Sequence, residues 1–221
     1  GRAYLPGLTE GFDRIARSTT ELRGRGLAGR LTVSVLSSFA GLWLAPRLAR
    51  FRDAYPDIEL FLRSETRIVD FAREAVDLAI RYVPEVLPPL VGERLLDETL
   101  SPVLSPVLLE RAGPVTDAAT LLAMPLIHDA DVTGADVSNS WRRFFEVAKV
   151  VMPADLEQGL LINDTGVAVA AAVAGQGVVL GRSVLVADHL AAGRLVRPLS
   201  VQMTAAQAYH VVTTEAGRAD P

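Results

Sequence analysis

The sequence predicts an α/β protein of two lobes joined by two crossing segments and preceded by part of a linker helix. Three observations lead there. From Leu31 onward, short apolar strands alternate with helices, the pattern of a largely parallel sheet. That alternation breaks at residues 100–106 and restarts near 125, which marks a second lobe. A late apolar run, 208–213, follows a second crossing at 195–199 and is placed to rejoin the first lobe. The expected organisation is a helix over 1–25, a first lobe of 30–100 plus 203–216, and a second lobe of 101–202.

In chain order, Leu8, Phe12, Ile15, Thr19 and Leu22 repeat at spacings of four and three, a stripe narrow enough for a helix-helix seam. A helix packed on its own domain would give the same stripe. Gly24, Gly26 and Gly29 then form a hinge. Leu31, Val33 and Val35 alternate with Thr32 and Ser34 as a first strand, and Leu44, Leu48, Phe51 and Tyr55 share one face of a helix over 41–55. That helix ends before Pro56, because proline disfavours helix in the residue preceding it. A strand over 58–63, a short helix over 70–75, a strand over 77–82, a proline-rich loop and a strand over 92–96 complete the first lobe.

In the second lobe, strands are expected at 125–128, 160–163 and 178–181. Helices are expected at 138–149, at 167–174 capped by Asp164 or Thr165 and ended by Gly175, and from a Ser183 cap to Leu190, closed by Gly193. The segment 175–181 is rich in glycine but precedes a strand, so it reads as a turn and not as a dinucleotide-binding loop.

Half of the 221 residues are apolar, enough for a substantial core. With a net charge of −4 there is no overall basic field to hold nucleic-acid phosphates. The absence of cysteine removes disulfides, thiolate metal sites and cysteine nucleophiles, and accords with a cytoplasmic location. No apolar run approaches the roughly 18 to 20 residues that span a bilayer, and residues 1–30 lack the layout of a signal peptide. His128, His189 and His210 have no metal-ligand spacing, and no nucleophile elbow, Walker loop or zinc-protease motif occurs. No metal, cofactor or catalytic residue is expected.

The chemistry-bearing residues gather at strand ends. Ser37-Ser38-Phe39 follows the first strand and opens a helix, so two hydroxyls and unpaired backbone N–H groups would face an anion there; an ordinary N-cap is the competing explanation. Ser64 and Thr66 follow the second strand, Arg81 ends the third, and His128 ends the first strand of the second lobe, where ligands of open α/β sheets lie. The Arg81 fork suits a carboxylate ligand, or else a salt bridge to Asp77 or Glu85. The alanine-rich helix over 167–174 reads from composition as buried on all sides, with a flat subunit contact as the alternative.

Several segments resemble, in order, the regulatory region of LysR-type transcriptional regulators, especially the subgroup of glycine-cleavage and β-lactamase activators. They are Gly1-Arg2-Ala3-Tyr4-Leu5-Pro6, Gly29-Arg30-Leu31-Thr32-Val33, Ser38-Phe39-Ala40, Trp43-Leu44-Ala45-Pro46-Arg47-Leu48, Val69-Asp70-Phe71, Asp77-Leu78-Ala79-Ile80-Arg81-Tyr82, Pro102-Val103-Leu104-Ser105-Pro106, Trp141, Gly175-Gln176-Gly177-Val178 and Gly193-Arg194-Leu195-Val196. The resemblance implies a type 2 periplasmic-binding-protein-like fold that binds a small effector between its lobes, with a winged helix-turn-helix before Gly1 supplying the DNA contact. It implies an effector pocket of Ser37, Ser38, Phe39, Ser64, Thr66, Arg81 and His128, modulated by Asp70 and Tyr209. It also implies a homodimer or homotetramer whose contacts use Trp43, Arg47 and Arg50 on one side and Val167 and Ala171 on the other, which revises the burial expected for the latter helix. The effector would be a carboxylate, an amino-acid-like compound or a cell-wall fragment. A solute-binding protein for such a ligand is the alternative on the same fold. The run from Val83 to Pro89 departs from the subgroup, which usually has a glycine-rich, tryptophan-containing loop there.

Overall fold

The computed structural model describes residues 29–129, 140–153 and 159–219. The expected helix over 8–23, with Gly24 and Gly26, lies outside the described residues. The chain divides into two units, the first running to Asp97 and resuming at Gln207, the second spanning Glu98–Ala206.

The first unit is built on a five-stranded sheet of order β2-β1-β3-β10-β4, from β1 (Gly29–Val35), β2 (Ile58–Ser64), β3 (Leu78–Val83), β4 (Leu90–Leu96) and β10 (Ala208–Thr214). Strand β1 runs parallel to both β2 and β3, in register that sets Val35 beside Ser64 and Ile80. Strand β10 enters antiparallel between β3 and β4. Strand β1 is interior to the sheet, flanked by β2 and β3, and Val33, Ser34 and Val35 are all buried because the strand is covered on both faces. Asp77 joins the sheet by an off-ladder route, its Oδ2 accepting the Thr32 N–H at 2.6 Å.

The helix expected over 41–55 is a longer and less regular segment. It starts as α1 (Ser37–Phe39), widens to a π turn (Ala40–Leu44), tightens to a 3-10 turn (Ala45–Arg47) and resumes as α2 (Leu48–Ala54). Pro46 explains the re-phasing, since it has no N–H to donate and its ring crowds the preceding turn. The short helix expected over 70–75 is instead a single turn, with the Arg73 and Glu74 N–H groups both donating to the Asp70 carbonyl. So brief a segment does not offset the cost of nucleating a helix, and the Glu74 side chain is drawn onto Arg63 and Arg67.

A row of rings fills this unit: Trp43 on Phe39 at 4.8 Å, Phe39 on Tyr209 at 4.5 Å, and Tyr209 on Tyr82 at 4.9 Å between centroids. Spacings of this kind add stabilisation beyond simple burial.

The second unit has a sheet of the same plan, order β7-β6-β8-β5-β9, from β5 (Thr99–Val103), β6 (Leu126–Asp129), β7 (Leu160–Ile162), β8 (Val178–Arg182) and β9 (Met203–Thr204). Here β6 is parallel to β7 and β8, and β5 is antiparallel to β8 and β9. Its core gathers Leu104, Leu121, Trp141, Phe144, Phe145 and Val178, with the Trp141 indole N–H donating to the Ile127 carbonyl at 2.9 Å.

The helices of this unit are α3 (Pro106–Ala112), α4 (Trp141–Val147), α5 (Thr165–Val173) and α6 (Ser183–Ala191); a final turn, α7 (Glu215–Ala219), belongs to the first unit. Asp164, one of the two expected caps, accepts the Val167 N–H at 2.9 Å and starts α5. Ser183 does not cap α6. Its hydroxyl turns away to donate to the Glu98 carboxylate, and that carboxylate accepts the Val184 N–H at 3.0 Å in its place. Gly175 and Gly193 close α5 and α6 in the left-handed region, at φ 77° and 67°.

Candidate functional site

The carboxyl ends of β1, β2 and β3 bring a polar cluster together in the first unit. Ser37, the first residue of α1, and Ser64, the last of β2, stand 27 positions apart and share a hydrogen bond of 3.0 Å between hydroxyls. Parallel pairing does this: Val35 and Ser64 are register partners, so the residues leaving each strand emerge side by side. Ser37 and Ser38 are half-buried, and Ser64 and Thr66 are exposed. Phe39 is wholly buried, and its ring serves the aromatic row.

Beneath these hydroxyls is a layer that local pattern reading missed. Ser34, fully buried in β1, donates from its hydroxyl to Glu65 Oε1 at 2.8 Å. Arg81 donates to the Ser34 hydroxyl at 2.6 Å, to the Ser34 and Ile80 carbonyls at 3.1 and 2.9 Å, and to the Arg67 carbonyl at 3.2 Å. The Arg81 fork is thus spent on the protein and bonds neither Asp77 nor Glu85, the partners considered from sequence. Burial pushes its guanidinium below the ordinary arginine value, with the Glu65 carboxylate opposing and Arg67 adding to the fall.

Glu65 and Glu74 bind the arginines that surround them. Arg67 Nε meets Glu65 Oε2 at 2.8 Å, Arg63 meets Glu74 at 2.9 Å, and Arg67 reaches both Glu74 oxygens. The Arg67 bond leads in holding the Glu74 carboxyl well below the usual carboxylate range, followed by the Asp70 N–H and Arg63. The result is a braced loop after β2 that carries Thr66 and follows directly on Ser64.

Asp70, expected as a modulator, is exposed; it accepts the Ala72 N–H at 3.0 Å and faces Arg73. Tyr209 is entirely buried opposite Tyr82 on β3, inside the row of rings. His128 lies in the second unit, half-buried in β6 and beside Leu161 in register; a Cβ at Gly159 would stand 3.1 Å from its ring. Of the residues expected at a subunit contact, Trp43 is 1% exposed within the chain and packs inward, with the Arg47 guanidinium 5.0 Å from its ring. Arg50 is exposed, Val167 is 56% exposed on α5, and Ala171 is half-buried. Among the described residues no group of three His, Cys, Asp or Glu side chains could hold a metal ion, and no helix is long and apolar enough to cross a membrane.

Residues 24–221 match the family described as LysR substrate binding domain. The chain belongs to that family. This LysR substrate-binding domain is 33% identical over 212 residues to the glycine cleavage system transcriptional activator of Escherichia coli K12, covering 96% of the chain and 67% of that protein. It is 31% identical to the transcriptional activator AmpR of Citrobacter koseri, covering 91% and 67%. The structure of the AmpR effector domain of Pseudomonas aeruginosa superposes with a TM-score of 0.70 at 26% identity, over 85% of this chain and 86% of that one. The fold is the type 2 periplasmic-binding-like one, and the role is that of the ligand-sensing domain of a LysR-type regulator. The relatives are transcriptional regulators, so the solute-binding alternative is not favoured.

Proposed function

We propose that the chain senses a small carboxylate or amino-acid-like effector at the carboxyl ends of β1 and β2, through the hydroxyls of Ser37, Ser38, Ser64 and Thr66. The observation that supports this most directly is the 3.0 Å bond between Ser64 and Ser37, which fixes two solvent-reaching hydroxyls at adjoining strand ends. Hydroxyls and helix-opening N–H groups donate readily to a carboxylate. Arg81 contributes by holding Ser34 and the Arg67 carbonyl, so that the loop bearing Ser64 and Thr66 is formed before the ligand arrives. A cell-wall fragment, which the resemblance to the β-lactamase activators implies, is the second ligand class to test.

In this reading the domain binds without turnover, works in the cytoplasm as a dimer or tetramer with Arg50, Val167 and Ala171 in its contacts, and passes the signal to a DNA-binding segment of the same regulator. Ligand binding shifts a pre-existing equilibrium by its differential affinity for two states.

The test is a thermal-shift screen with carboxylates, amino acids and peptidoglycan fragments, followed by calorimetry on Ser37→Ala and Ser64→Ala. A dose-dependent shift that both variants weaken at least tenfold supports the site. Unchanged affinity in both variants would place the effector elsewhere. Arg81→Ala is the poorer probe, because it also removes the tie to Ser34.

A further inference from the structure

Glu98 opens the second unit at the junction with Asp97, and the other junction between the units, Ala206 to Gln207, is close by: the Ala205 N–H donates to the Glu98 carbonyl at 3.0 Å. Thr99, the next residue, pairs with Thr204. Both connecting strands are therefore fastened together at this residue.

The side chain is 2% exposed and set against the start of the nine-residue helix α6. One oxygen, Oε1, accepts the Ser183 hydroxyl, the Val184 N–H at 3.0 Å and the Thr99 N–H at 3.1 Å. The other, Oε2, is buried with no hydrogen-bond partner among the described residues. The three donors on Oε1 favour the charged form, but the burial of the whole group and the partnerless Oε2 weigh more heavily toward a neutral acid. A charge there would be desolvated on the side that lacks donors.

We propose that Glu98 is a proton-operated clasp, seated when its carboxyl is neutral and released toward water when it loses the proton, so that proton concentration sets how firmly the connection between the units is held to α6.

The electrostatics agree. Burial raises the Glu98 carboxyl to about 7, against the smaller opposing effects of Ser183, Val184, Arg182 and Thr99. The charged group that acts on Glu98 from the packed elements, among the described residues, is Arg182 at the end of β8, and it favours ionisation. Along its own segment, Asp97 is paired to Arg94 at 3.1 Å, while α6, β5 and the returning strand present the neutral groups of Ser183, Val184, Thr99 and Ala205. A seated form that ionises at about 7 and an opened form at the model-compound value of 4.5 imply that opening becomes easier by up to about 300-fold as pH rises through that window.

The experiment is amide hydrogen exchange at Val184 and Thr99, the two amides that donate to Glu98, between pH 5 and 8.5 and corrected for the intrinsic rate. In the native chain the protection factors should fall with pH and level off above about 8. In Glu98→Gln, which cannot ionise, they should be flat. A pH-independent protection in the native chain, or the same fall in Glu98→Gln, would overturn the clasp. Should Glu98→Gln fail to fold, the carboxyl carbon resonance of Glu98 in the native chain decides alone: a midpoint above 6 supports the proposal, and one in the ordinary glutamate range refutes it.

Discussion

Arg81 and Ser34 stand 47 positions apart on neighbouring strands and are fastened twice, Nη1 of the arginine to the serine carbonyl at 3.1 Å and Nη2 to its hydroxyl at 2.6 Å. The same hydroxyl donates onward to Glu65, so one small side chain ties the ends of β1 and β3 to the loop after β2.

Replacing either partner should therefore cost stability before it affects any ligand. Arg81→Lys keeps the charge but cannot reproduce the fork, and should lose about 2 kcal/mol in urea unfolding. Ser34→Ala should lose a similar amount. Because the two changes remove one shared contact, the double variant should be less destabilised than the sum of the singles.

Stability should also depend on Glu98. Its carboxyl is raised to about 7 in the folded chain from the ordinary glutamate value of 4.5, so the folded state binds the proton more tightly than the unfolded one. The contribution is fully present below pH 4.5 and is lost as pH rises through 7. Relative to Glu98→Gln, the native chain should lose about 3 kcal/mol across that window, read as the difference between two denaturation series. Parallel curves would count against it.

Gly177→Ala tests the packing of the turn before β8. An added Cβ would lie 2.6 Å from the Pro125 carbonyl and 3.0 Å from Ile127, while that same carbonyl accepts the Val178 N–H at 2.8 Å. Backbone cannot yield as a flexible side chain can, so a loss of about 2 kcal/mol is expected by thermal unfolding.

Val167→Glu probes the subunit contact. The side chain is 56% exposed on α5, so an acidic replacement should leave the melting temperature nearly unchanged. Light scattering coupled to size exclusion should show a smaller species than for the native chain. The same mass in both would remove this face of α5 from the interface.

The elements legible in the sequence are those set by local periodicity: β1 through Leu31, Val33 and Val35, and α5 through its Asp164 cap and closing Gly175. Helix α3 was hidden because Pro106 and Ser105 read as part of a crossing, although proline at the first helical turn and serine at the cap start a helix well. The Ser183 cap failed for a different reason. Its donor found an acid 85 positions away, and no local pattern encodes that meeting. In the candidate site, Ser37 and Ser64 were legible as strand-end hydroxyls, but the layer beneath them was not. Ser34 reads as an ordinary polar position of an alternating strand until the fold sets Glu65 and Arg81 on either side of it.

Strand β10 lies between β3 and β4, and the whole second unit falls in sequence between its Tyr209 and the register partner Leu96. During synthesis on the ribosome, the second unit is therefore complete by residue 206, while β3 and β4 still face each other across the place of an absent strand. The first unit, although begun first, is finished last. A nascent chain halted before Ala208 would expose two unpaired strand edges, the kind of surface that chaperones hold and that other chains join.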